Sequence, residues 1–164
     1  MTMTPDPAVT AWLDQEDKRT AQTIRKHGVS LQYVGGDMQR RQTPFAYTIG
    51  LFGRGHPELL VFGLDARTTG LLLNDVSDRV RLGQDIVPGQ VLEFEGWSHK
   101  VTVESVPNPG EIAFAANRFY QRPDEYSVEL LQLTYDDRDG RFPWEDDYGN
   151  AVWIQPRPGS FSAW

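Results

Sequence analysis

The chain has 164 residues, 39% hydrophobic and 24% charged, with a formal net charge of −7, the composition of an ordinary globular protein and the length of one domain spanning 1–164. Cysteine is absent, which excludes thiolate catalysis, iron–sulfur clusters, thiolate zinc sites and redox switching. Residues 43–164 carry 10 basic and 18 acidic side chains and would repel a phosphate backbone, and no run of 18 apolar residues or secretory start occurs, so a cytoplasmic protein without nucleic-acid or membrane partners is expected.

In chain order, Asp6 and Pro7 are the N-cap and first position of a helix over about 7–27, with Arg25, Lys26 and His27 in its last turn and Gly28 as its stop. Its apolar residues Val9, Trp12 and Leu13 share one face, which is expected to pack on the domain. Val29–Val34 alternates as a strand, and Gly35-Gly36-Asp37 marks a turn. Phe45–Leu51 alternates more strictly. Large Phe45, Tyr47, Ile49 and Leu51 fall on one face and small Ala46, Thr48 and Gly50 on the other, predicting a core face and a face open to close approach.

Glu58–Leu64 is almost wholly apolar, as a strand buried on both faces would be. The six residues before it are too few for a parallel crossover, so the two strands are predicted to be antiparallel neighbours near the sheet centre. Asp65 or Thr68 caps a helix with the stripe Leu72, Leu73, Val76 and Val80. A hairpin follows over Val91–Glu95 and Lys100–Glu104, then a helix over Glu111–Tyr120 and a strand from Ser127 to Tyr135. The remainder, about 136–164, is an irregular, acidic, aromatic tail. These elements predict an α+β fold: a mostly antiparallel sheet or partly open barrel with about three packed helices.

Dinucleotide, phosphate-loop and nucleophile-elbow motifs are absent, and no cofactor is assigned. His27, His56 and His99 lack the spacing of a metal pair, and the acidic segment from Asp136 to Asp147 does not fit a calcium loop, so no metal is assigned either. The richest constellation is Arg54-Gly55-His56-Pro57-Glu58. It supplies His56 as acid–base, Glu58 as its orienting carboxylate and Arg54 as an anion clamp, although the same residues also serve simply to turn a hairpin. As positions i and i+2 of a strand, His56 and Glu58 would share a face. Tyr47, Thr48 and Trp144 complete the candidate ligand contacts, with the small-residue face against the ligand. Trp144 is also expected to anchor the tail to the body. Two functions follow: a small-molecule site with acid–base chemistry at the 54–58 loop, or an interaction module that docks a basic protein partner with its acidic surface and exposed aromatics.

Phe45-Ala46-Tyr47-Thr48-Ile49-Gly50-Leu51, Gly55-His56-Pro57-Glu58-Leu59, Gly63-Leu64, Gln132-Leu133, Asp139-Gly140-Arg141-Phe142-Pro143-Trp144 and Gln155-Pro156 together resemble the bacterial family called domain of unknown function 4262. The chain departs from the pattern at Asp136, where a proline is expected. The resemblance implies a small bacterial cytosolic protein and brings no catalytic residues with it.

Overall fold

A computed structural model describes residues 5–163. Its elements are α1 (Pro7–His27), β1 (Ser30–Val34), β2 (Phe45–Ile49), β3 (Glu58–Phe62), α2 (Ala66–Arg81), β4 (Val91–Phe94), β5 (Trp97–Ser105), α3 (Phe114–Phe119) and β6 (Leu130–Tyr135), joined by short 3₁₀ turns. The strands form one open, six-stranded sheet in the order β1-β2-β3-β6-β5-β4. β2 and β3 are antiparallel neighbours at its middle, as their short connection requires. The next pair, β3 and β6, is parallel. β6 returns only after α2, the β4–β5 hairpin and α3, an excursion long enough to bring the chain back in the same direction.

Every residue of β2, β3 and β6 is buried, because the sheet is covered on both sides. On one side Ala46, Leu59, Val61, Val101 and Leu133 pack under Leu72, Leu73 and Val76 of α2. On the other, Phe45, Tyr47, Ile49, Leu60 and Phe62 meet Ala115 and Ala116 of α3, with Phe161 from the C-terminal tail wedged edge-on against Phe45 and Phe62. The small face of β2 is therefore core as well. Ala46 and Thr48 have no exposure, and a Cβ on Gly50 would meet the Gly28 carbonyl oxygen at 3.0 Å and Val29 Cα at 3.2 Å. The close approach that glycine permits is made by the chain entering β1, not by a ligand.

Three elements depart from the sequence reading. α1 is capped as expected, with the Asp6 carboxylate accepting from the Ala8 N–H and Gly28 left-handed at its end, but Val9 and Trp12 of its apolar face are 52% and 58% exposed. The helix is tied down further along, through Ile24 and an ion pair from Asp17 to Arg118. The helix expected over 111–120 is a 3₁₀ turn at Pro109–Glu111 followed by the short α3, since proline and glycine open the segment. The last strand starts at Leu130 rather than Ser127: the Val128 N–H is taken by the Asn117 side chain, which removes it from the ladder.

Candidate functional site

The loop from Gly50 to Pro57 is built around one carboxylate. After Gly50 (φ 138°) the chain makes a 3₁₀ turn over Phe52–Arg54 that closes on left-handed Gly55, and the His56 N–H returns to the Leu51 carbonyl. Glu58, at the start of β3, has no exposure. Its Oε1 accepts from the Thr48 hydroxyl (2.8 Å) and the Leu51 N–H (3.0 Å), and its Oε2 from the N–H groups of Gly50 (3.0 Å) and Phe52 (3.1 Å). Thr48 Oγ1 in turn accepts from the Leu59 N–H at 2.9 Å. Burial pushes the Glu58 carboxyl above its ordinary value, opposed by these four donors. All four partners donate, which is the set a carboxylate anion needs.

The three functional side chains of the loop consequently part. Glu58 points under the turn. His56, nearly buried, has Nδ1 2.8 Å from the Pro57 carbonyl oxygen, while its Nε2 accepts from the Ile86 N–H at 3.2 Å. That network places the proton on Nδ1 and occupies both ring nitrogens with main chain. The orienting carboxylate expected for His56 is not there; the ring instead fastens the segment between α2 and β4 to the loop. A cleft of about 520 Å³ lies beside it, lined in part by Asp85, Val106 and Glu129.

Arg54 lines a different concavity, a groove of about 560 Å³ between the end of α1, the loop and α3. Arg25 and Tyr120 line the same groove over an apolar floor of Ile24 and Phe119. Tyr120 packs against Phe52 at 4.7 Å between centroids, and Arg122 covers the Phe52 ring at 5.1 Å. The Tyr120 hydroxyl accepts a long bond from the Gly53 N–H (3.4 Å), and burial, aided by the Glu58 charge, pushes it up to about 12. It is therefore a neutral donor at physiological pH. Among the described residues Arg25 and Arg54 have no ion-pair partner, whereas Arg19, Arg79, Arg81, Arg118 and Arg157 each hold a carboxylate within 3.2 Å.

The other candidates lie elsewhere. Tyr47 is buried, its hydroxyl accepting from the Ala115 N–H at 2.9 Å, and burial pushes it up to about 12. Trp144, 48% exposed, stacks on Phe142 at 4.9 Å and lies under the Arg157 guanidinium at 5.0 Å. Its segment does turn back on the body, but through other groups. Asp137 accepts from the N–H groups of Asp139, Arg141 and Gly149, and the Gln155 amide spans both main-chain groups of Tyr135.

Sequence reasoning missed Arg25 and Tyr120, which stand 25 and more residues from the loop and reach it only through the packing of α1 and α3. It also missed the imidazole that does meet a carboxylate. His99 Nδ1 lies 2.7 Å from Oδ1 of buried Asp136, with the Trp97 ring 4.9 Å away. His99 and Asp136 stand 37 residues apart in the chain, so no local spacing pairs them.

Among the described residues no group of three or more histidines, aspartates or glutamates is placed to hold a metal, and no helix is long and apolar enough to cross a membrane. No curated protein and no solved structure matches the chain. The family model described as Domain of unknown function (DUF4262) matches residues 23–149, and the chain belongs to that family.

Proposed function

We propose that the protein binds a small anionic molecule in the groove formed by the end of α1, the β2–β3 loop and α3, with Arg54 and Arg25 gripping the anion and the Tyr120 hydroxyl donating a further hydrogen bond. The observation that carries this reading is a pair of guanidinium groups without carboxylate partners, beside a neutral hydroxyl, on one concave surface of a protein with net charge −7. The planar donor fork of arginine matches carboxylate and phosphate oxygens, and two forks with an apolar floor suit a phosphorylated or carboxylated organic molecule rather than a bare ion. Glu58 and Thr48 take the supporting part: they fix the turn that presents Arg54, and His56 fixes its far side.

The test is titration of the whole protein with phenyl phosphate by calorimetry at low and physiological salt. Saturable binding is expected, weakened about tenfold or more by Arg54→Gln or Arg25→Gln, as the loss of a charge-assisted hydrogen bond implies. Equal affinity in the wild type and both variants, or no binding at millimolar concentration, would overturn the reading.

A further inference from the structure

A further cavity, of about 820 Å³, belongs to neither side of the Glu58 loop. It lies between the β1–β2 connection and the C-terminal tail, where Phe45, Phe161, Trp153 and Val34 make apolar walls. Its volume is that of a site for a drug-sized molecule. Among the described residues no acidic side chain lines it, and the two charged ones that do are Arg41 and Arg157. Arg157 is neutralised by Glu104, its two terminal nitrogens donating to the two carboxylate oxygens at 2.6 and 2.7 Å. Arg41 has no carboxylate partner among the described residues, and the neighbouring Gln42 lines the same cavity.

Arg41 also stands where an arginine is disfavoured. The chain reverses between Asp37 and Gln42, whose main chains bond to each other at 2.8 Å in both directions, and Arg41 closes the 3₁₀ turn inside that reversal with φ 55° and ψ 34°. This left-handed conformation suits glycine and strains a residue with a Cβ. Strain held at the edge of a cavity, on a side chain that no neighbouring charge retains, is a pattern associated with functional sites.

We infer that this cavity is a binding site for an apolar monocarboxylate, of the medium-chain fatty acid or aryl acid kind, whose hydrocarbon part occupies the aromatic pocket and whose carboxylate is taken by Arg41. The apolar walls and the absence of acidic residues favour such a molecule over a sugar or a cation, and a guanidinium fork fits a carboxylate in two-point contact. Because Trp153 and Phe161 belong to the tail, occupancy also holds the tail closed over the sheet. The inference is independent of the Arg54 groove.

The test uses decanoate as the probe, with the intact chain, and the variant Arg41→Gly, which removes the guanidinium while relieving the left-handed strain. Expected are saturable decanoate binding, a loss of about tenfold or more in Arg41→Gly, little binding of decanol, and protection of residues 152–163 from proteolysis by decanoate. The melting temperature of ligand-free Arg41→Gly should equal or exceed that of the wild type, so that lost binding cannot be put down to lost folding. Arg54→Gln should bind decanoate as the wild type does. Absence of binding at millimolar decanoate, equal affinity in Arg41→Gly, equal binding of decanol, or loss of binding in Arg54→Gln would each overturn the inference.

Discussion

The Thr48 hydroxyl sits between two partners, donating to Glu58 Oε1 at 2.8 Å and accepting from the Leu59 N–H at 2.9 Å, so that one buried side chain on β2 fixes both the carboxylate and the main chain of β3. Glu58→Gln replaces one of the two acceptor oxygens by an NH₂ facing N–H donors, and at least one buried donor loses its partner. The expected cost is about 3 kcal/mol or more in urea denaturation, since each orphaned buried donor costs about 1–3 kcal/mol and the charge-assisted bonds go too. The pH dependence has a definite sign. The folded-state value of Glu58 is raised above the ordinary 4.5, so over the window between them the folded chain holds a proton that the unfolded chain releases. The contribution to stability is full below about 4.5 and declines as pH rises through the folded value; Glu58→Gln should lack this decline.

His56→Ala should expose the same architecture from its other side. The variant orphans the Ile86 N–H, on a residue only 2% exposed, and opens a void beside the loop. About 2–3 kcal/mol of destabilisation is expected, from the unpaired donor and the lost packing. Phenyl phosphate affinity, measured below the melting temperature, should change much less than in Arg54→Gln. A large loss of affinity with unchanged stability would make His56 a ligand contact.

Much of the scaffold is legible because it follows from local chemistry. The strict alternation of Phe45–Ile49, the apolar run after Pro57 and the short connection between them dictate an antiparallel pair, and the caps of α1 and α2 are written in Asp6, Gly28 and Asp65. The alternation stops at Gly50 (φ 138°), so Leu51 packs in the layer of Ala46 and not, as expected, with Phe45, Tyr47 and Ile49. What escaped depends on tertiary neighbours. Alternation in β2 indicates which residues share a face but not that both faces are covered, and Glu58 reads as a catalytic partner until four donors are seen converging on it from the preceding turn. The spacing of His56 and Glu58 is equally ambiguous, because β3 begins only at Glu58 and His56 lies in the bend before it. The groove holding Arg54 draws on three distant segments, which no single-sequence spacing rule could assemble.

The tail offers a sharp contrast between an exposed aromatic and a buried amide. Trp144 is only half covered, so Trp144→Ala should cost no more than about 1 kcal/mol, the worth of an exposed stacking and cation–π contact. Gln155, buried, accepts from the Tyr135 N–H at 2.8 Å and donates to its carbonyl at 3.0 Å, so Gln155→Ala leaves two main-chain groups unpaired at the end of β6. About 2–4 kcal/mol and a marked increase in proteolytic cutting between residues 136 and 160 are expected. Limited proteolysis of the two variants side by side checks the order. Faster cutting in Trp144→Ala would restore the indole as the tail's main anchor.

Alkaline titration separates the buried tyrosines from the rest. Tyr47 and Tyr120 are both pushed from 10.0 up to about 12, chiefly by burial, and in each the folded chain retains a proton that the unfolded chain has released. Stability is therefore expected to fall as pH rises between 10 and about 12, and tyrosinate absorbance should lag behind that of the denatured chain over the same range. Tyr120→Phe should remove part of the decline at little structural expense, since its hydroxyl accepts only one long bond of 3.4 Å. Tyr47→Phe should remove another part but lower the baseline by about 1–3 kcal/mol, because the buried Ala115 N–H then has no acceptor. If the native protein ionised its tyrosines together with the denatured chain, the sealed position of Tyr47 under α3 would be refuted. The outcome also bears on the groove, where a Tyr120 hydroxyl that ionised near 10 would lose its proton as a donor and add a negative charge beside Arg54.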